Sequence, residues 1–316
     1  MLVYVVRRLL WGAVTLWLAI TLTFFGLKAA FDRLNGEALE RALYGPPWKP
    51  PFSALRPMYV FEGPTHEHYL HFLGSALRLD WGYSVSTSMS VRQALQEDFP
   101  VTARIGLLAF ALAVAIGIPL GVRAAGRSGW TDRAISSAAT VAYTFPAVVL
   151  AMLLLALSVK TAPIFALSWG QGWRNYLLPV LVLGLGAGGY LARVAVLEVL
   201  GQEYVRAARA KGLRERTIAR RHILPNALPT LLAALGPTLG LLLSGSAMLE
   251  YALNIPGTGK LLFSGFEQHD YPMILAGVTL YTALILASNL VADVLASAVN
   301  ARSGRGSVAR VRRRGG

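Results

Sequence analysis

Six stretches of the chain are apolar over about 20 residues or more, the length required to cross the hydrocarbon core of a bilayer. They cover residues 9–27, 101–122, 134–159, 176–197, 228–249 and 274–299. Lipid offers no partner for backbone N–H and C=O groups, so such stretches have to satisfy themselves as helices. The expected fold class is therefore all-α, a membrane protein with six transmembrane helices. The first stretch follows Arg7 and Arg8 and leads into Lys28 and Phe31 without a small-x-small cleavage pattern. It is also too long for the core of a signal peptide, and it reads as an uncleaved helix.

Composition supports this reading and excludes others. Of 316 residues, 55% are hydrophobic and 15% charged, too apolar for an ordinary soluble enzyme. The formal charge of +14 would suggest nucleic acid in a soluble chain, but its distribution argues for topology instead. With the N-terminus inside, segments 1–8, 123–133, 193–222 and 300–316 hold 19 Lys and Arg against 4 acids. Segments 31–98, 159–175 and 250–273, outside, hold 9 against 11. Lys and Arg accumulate on the cytoplasmic side of membrane proteins, so both termini are expected inside and no nucleic-acid partner is expected. The basic tail from Arg302 to Arg314 fits the inner face and a contact with anionic lipid. Cysteine is absent, which removes disulfides, thiolate metal sites and cysteine nucleophiles.

Four regions follow: an N-terminal transmembrane helix over 1–30, an outer loop over 31–98, a five-helix core over 99–300 and the basic tail over 301–316. The outer loop is rich in Pro and aromatics, with Pro46, Pro47, Trp48, Pro50 and Pro51, and is too long for a bare connector. It is expected to be partly folded.

Several motifs lose their chemical reading in context. Gly184-Leu-Gly-Ala-Gly-Gly189 matches a dinucleotide fingerprint but lies inside an apolar span, where small residues serve helix packing. Gly257-Thr-Gly-Lys260 resembles the end of a phosphate-binding loop, yet Leu261 stands where Ser or Thr is required and Asn254 where the first Gly belongs. No nucleotide or other cofactor is expected to bind this chain. His66, His68 and His71 are spaced as metal ligands can be, but Tyr69, Leu70, Phe72, Leu73, Ala76 and Leu77 continue an amphipathic helix around them. A solvated helix face is the expectation, with no metal site. No Ser, His and carboxylate occur at a recognisable catalytic spacing, so no catalytic residues are assigned. Arg104, near the end of the second span, is placed to snorkel. Asn289 and Asp293 share a face of the last helix, placed to bond a neighbour or to line a path.

The most specific stretch runs from Glu203 to Pro225. At helical spacing Tyr204, Val205, Ala207 and Ala208 fall on one side, with Arg206 and Arg209 opposite, giving a short amphipathic helix on the inner face. Gly212 supplies a left-handed stop, and Leu213 to Ile223 is expected to form a second helix that Pro225 breaks. Periodicity leaves two readings: a docking knob, or a helix lying on anionic lipid.

This stretch resembles the EAA loop of permease subunits from binding-protein-dependent ABC importers, whose pattern is E-A-A, three residues, G, nine residues, I-x-L-P. Ala207, Ala208, Gly212, Leu224 and Pro225 match in register, while Arg206 replaces the Glu and His222 the Ile. The dipeptide/oligopeptide branch carries a string similar to Tyr204–Leu213. Gly117-Ile-Pro-Leu-Gly121, Phe145-Pro146, Pro256-Gly-Thr-Gly-Lys-Leu-Leu262, Asp270-Tyr-Pro272 and Asn289-Leu-Val-Ala-Asp293 also resemble that branch, as does the outer helix over 69–82. The branch's Pro-Gly-Asp-Pro after the first span is missing, and residues 45–60 are individual to this chain.

The resemblance implies a type I ABC importer permease, the first of a pair, in the cytoplasmic membrane of a bacterium or archaeon. It implies a second homologous permease, two cytoplasmic ATPase subunits that bind ATP and Mg, and an extracytoplasmic substrate-binding protein. Peptides are the implied substrates, with glutathione, nickel chelates and oligosaccharides as alternatives within the branch. By the same resemblance the coupling loop over 201–225 rests on Glu203, Tyr204, Arg206, Ala207, Ala208, Arg209, Gly212, Leu213, His222, Leu224 and Pro225. Tyr143, Pro146, Ser244, Ser246 and Asn289 are the candidates to line the passage. A secondary transporter would need discontinuous helices around midplane carboxylates, and only Asp293 is acidic well within a span. A signalling scaffold with an inner docking knob is the remaining rival.

Overall fold

A computed structural model of the chain describes residues 2–33, 64–120, 137, 144–161, 164, 165, 169, 170, 172–200, 202–218, 221 and 223–312. Each expected span carries a helix. These are α1 (Leu2–Arg33), α3 (Val91–Leu112, continued by a π-helical turn Ala113–Gly117), α4 (Ala147–Thr161), α5 (Arg174–Leu200), α8 (Leu224–Ala252) and α10 (Tyr271–Arg312). Shorter elements lie between them: α2 (Thr65–Leu77), a hairpin of β1 (Tyr83–Ser84) and β2 (Met89–Ser90), α6 (Glu203–Ala210), α7 (Glu215–Ile218) and α9 (Thr258–Glu267). Among the described residues four stretches are long and apolar enough to cross a bilayer: Val5–Ala29, Val91–Leu120, Thr230–Ala252 and Tyr271–Ser297. Ala147–Lys160 is a shorter apolar helix, and α5 carries the remaining expected span.

Two boundaries differ from expectation. The second span's helix starts at Val91 and runs through Pro100, because Val91, Ala94 and Leu95 are buried against Met273 and Ala276. Burial of that face repays the hydrogen bond that Pro100 removes. The last helix continues past residue 299 to Arg312, so the backbone of the basic tail is a helical extension of the span. The expected start of the third span at 134 and its first turns lie largely outside the described residues.

The chain divides into two compact units, one comprising Met1–Leu9, Ile105–Leu243 and Ile285–Gly316, the other Leu10–Arg104 and Ser244–Leu284. In the first, α5 crosses the end of α3 at two glycines. A β-carbon on Gly117 would lie 2.3 Å from the Gly188 carbonyl oxygen, and one on Gly184 would lie 2.7 Å from Leu112 Cδ2. The glycine-rich string is thus a helix crossing that excludes side chains, as its mid-span position suggested.

In the second unit, α2 packs on α1. Phe24 stacks on Phe72 with ring centroids 5.3 Å apart and meets Tyr69 edge-on at 5.5 Å. The Tyr69 hydroxyl lies 2.6 Å from Thr21 Oγ1. This seat buries Ala76 and half-buries Tyr69, Phe72 and Leu73, but leaves Leu70 and Leu77 exposed, so the apolar face in contact is narrower than the periodicity indicated. His66 and His71 lie on the exposed side. Among the described residues no three His, Cys, Asp or Glu are grouped to hold a metal ion.

Candidate functional site

The knob of the first unit is built on α6. Eight residues are too few for a stable isolated helix, so tertiary contact has to hold it. Val205 and Ala208 supply that contact: both are buried in a cluster with Ile218, Ile223, Ala227 and Leu231, against which Ile118 also packs. Ile223, just before α8, and Ala227 and Leu231 in its first turns recur every four residues and so form one ridge. Glu203 in the first turn and Arg209 in the last complement the helix dipole.

The end of α6 is closed by its backbone. Gly212 adopts φ +70°, the Gly212 N–H donates to the Arg209 carbonyl at 2.9 Å, and the Leu213 N–H donates to Ala208 at 3.3 Å. This pair of bonds is the Schellman arrangement, which requires a left-handed residue at the position Gly212 holds. A β-carbon on Gly212 would meet nothing within 4 Å, so the backbone angle alone selects glycine.

The seat corrects the expected division of faces. Only Val205 and Ala208 point inward, while Tyr204 and Ala207 are exposed with Glu203, Arg206 and Arg209. A ridge one residue wide accommodates an i, i+3 pair, and the neighbours of that pair are turned about 100° away along a helix of 3.6 residues per turn. The exposed face therefore presents Tyr204, Ala207 and a run of cations continuing through Lys211 and Arg214.

Of the second expected helix the described part is α7, Glu215–Ile218, with Leu213 exposed ahead of it; 221 and 223 are π-helical, and 219, 220 and 222 lie outside the described residues. Pro225 does not break a helix. It lies in the first turn of α8, where a missing N–H leaves no bond unmade. Leu224 begins that helix, and His222 lies outside the described residues.

The passage candidates fall on separate elements. Pro146 is exposed just before α4, Ser244 is half-buried and Ser246 buried in α8, and Asn289 is half-buried in α10 with a buried Oδ1 that has no hydrogen-bond partner among the described residues. Tyr143 lies outside the described residues. Residues that sequence reading passed over are those seating the knob, although the spacing of 223, 227 and 231 was a usable signal.

With this geometry in view, comparison with known proteins is decisive. The family model described as "Binding-protein-dependent transport system inner membrane component" matches residues 117–305, which include the whole knob. The chain belongs to this family. As a permease it is 32% identical over 305 residues to the glutathione transport system permease protein GsiC of Escherichia coli (strain K12), covering 95% of this chain and 98% of that one. The corresponding protein of Salmonella choleraesuis (strain SC-B67) gives the same identity and coverage. Among solved structures, the inward-facing MetNI methionine ABC transporter matches with a TM-score of 0.55 and 23% identity, over 66% of this chain and 96% of that chain. That likeness shows the fold, the all-α type I ABC permease fold. The permease is an ABC importer subunit of the dipeptide/oligopeptide-type branch and a multi-pass inner-membrane protein.

Proposed function

We propose that this permease is one of a pair through which short peptides, glutathione first among those to test, pass inward from an extracytoplasmic binding protein. ATP is hydrolysed, with Mg, in two separate cytoplasmic ATPase subunits, and this chain contributes no catalytic group. The observation that carries the reading is the knob: a short helix seated by Val205 and Ala208 and capped at Gly212 leaves Tyr204, Ala207 and Arg206 facing outward for a partner. Movement of the ATPases would displace the knob and shift the helices between inward-open and outward-open states. Glutathione is itself a tripeptide, and permeases named for it match nearly the whole chain.

The charge distribution orients the chain with both termini inside. Single cysteines introduced at Leu70 and Ala210, both exposed, report this by impermeant labelling of intact cells. Labelling at 70 and protection at 210 is expected, and the opposite pattern overturns the orientation. Substrate is tested by reconstituting the permease pair with its ATPases and binding protein. ATP-driven uptake of labelled glutathione or dipeptides is expected, and uptake confined to a nickel chelate or an oligosaccharide overturns the peptide reading.

A further inference from the structure

Glu250, in the last turn of α8, is fully buried. Its Oε2 accepts hydrogen bonds from Thr102 Oγ1 of α3 at 3.0 Å and from the Gly259 N–H of α9 at 2.8 Å. Ser246, one turn earlier, is also buried. Thr102 Oγ1 in turn lies 3.0 Å from Thr258 Oγ1 and accepts from the Thr258 N–H at 2.9 Å. Thr258 Oγ1 lies 3.0 Å from the Tyr281 hydroxyl of α10. Each hydroxyl has one proton, and the carboxylate oxygen here accepts, so the chain has a single direction. Tyr281 donates to Thr258, Thr258 to Thr102, and Thr102 to Glu250.

The turn before α9 is shaped around that carboxylate. A β-carbon on Gly257 would lie 2.3 Å from Glu250 Oε2, and one on Gly259 would lie 2.1 Å from Ala247 Cα. The string that looked like a phosphate-binding loop is a joint pressed onto α8. A buried carboxylate is a poor way to gain stability, since apolar side chains of the same volume often do as well. Glu250 Oε1 is buried without a hydrogen-bond partner among the described residues, so the carboxylate is held through Oε2 alone, and what this directional network supplies is one fixed geometry. Here that geometry joins α3, α8, α9 and α10 at the end of the second unit that the charge distribution places outside, and the first turns of α8 are those that seat the knob.

We propose that Glu250 is a positioning residue for transport: through Thr102, Thr258 and Gly259 it pins α9 and the adjoining helix ends together, so that movement originating at the knob is not lost as slack at this joint. The proposal rests on the importer reading above. The two are separated by measuring substrate transported per ATP hydrolysed, in reconstituted assemblies matched for folded permease.

E250Q and T102V are each expected to lower that ratio about tenfold, as loss of a charge-assisted hydrogen bond warrants. T102S, which keeps all three hydrogen-bonding positions, is expected to hold it near wild type. The double variant E250Q/T102V is expected to be no worse than either single one. Should E250Q fail to assemble, T102V against T102S decides, because both leave the carboxylate in place. An unchanged ratio in T102V, with only thermal stability reduced, overturns the proposal and leaves the importer reading standing. A wild-type assembly without any ATP-driven uptake overturns the importer reading and the proposal with it.

Discussion

Arg8 Nη2 lies 2.5 Å from Asp293 Oδ2, an ion pair that joins α1 to α10 within the first unit. Asp293 is about 33 Å along α10 from Tyr271 at 1.5 Å per residue, roughly one hydrocarbon thickness. The pair therefore belongs to the membrane face opposite the helix's first turn, the face at which positive-inside sorting places Arg8. In sequence, Asp293 was an acidic residue in a span without an assigned partner. In the structure it pairs with Arg8, near the N-terminal end of α1.

Both side chains are partly exposed, at 49% and 23%, so the pair is expected to be worth about 1 kcal/mol and not several. R8E and D293R should each lower resistance to unfolding in detergent, and the charge-swapped double variant should recover most of the loss. A double-mutant cycle on thermal or denaturant midpoints checks this. Strictly additive effects would show that the two charges do not interact.

Gly212 is selected by its backbone angle and not by crowding. Gly212→Val should therefore cost on the order of 1–2 kcal/mol locally, and Gly212→Asn markedly less, because Asn tolerates the left-handed region. Transport and substrate-stimulated ATP hydrolysis should fall in the order Gly, Asn, Val while the amount of membrane-inserted permease stays level. Equal activity of the Val and Gly forms would count against a role for the cap.

Ala207 and Ala208 are neighbours with opposite exposure. A207E should leave the melting temperature of the isolated permease unchanged and abolish co-purification of the ATPase subunits. A208L overfills the seat against Ile218 and Ile223 and should destabilise the knob by about 1–3 kcal/mol. Proteolysis of the 203–225 region, faster in A208L and unchanged in A207E, checks the contrast.

Asp270 ties the hairpin to α10. It is fully buried, its Oδ1 accepts from the Met273 N–H at 3.3 Å, and its Oδ2 accepts from Ser84 Oγ at 2.6 Å, Ser86 N–H at 2.9 Å and Ser86 Oγ at 2.8 Å. Asp270→Ala removes a helix N-cap and also takes the acceptor from the Ser86 N–H and from at least one of the two serine hydroxyls, which lie 3.1 Å apart, so a loss of about 2 kcal/mol is expected. Amide exchange should rise at Ser86 and Met273 together. A rise at only one of them would separate the cap from the latch.

Features carried by neighbouring residues were legible. The spans, the left-handed stop at Gly212 and the packing role of Gly184–Gly189 each depend on residues within a turn or two. The knob's location was legible for the same reason, and the family pattern sharpened it. Its orientation was not, because an octamer with Tyr204, Val205, Ala207 and Ala208 side by side fits a ridge in more than one rotation, and only Ile218, Ile223, Ala227 and Leu231 decide that Tyr204 and Ala207 face outward. The same limit applies to Leu70 and Leu77, which continue an apolar pattern on α2 yet find no seat on α1.

The sequence by itself determined a six-helix membrane protein, the charge sorting from which its orientation is argued and the family pattern that places the knob. These follow from local hydropathy, charge and turn chemistry, which act on the chain wherever it goes. Tertiary structure decided the partners of the polar residues. Thr102 and Glu250 are 148 positions apart, and Ser84 and Asp270 are 186 apart. A hydrogen bond acts only across about 3 Å, so its existence depends on how separate helices pack, and no local pattern encodes that distance.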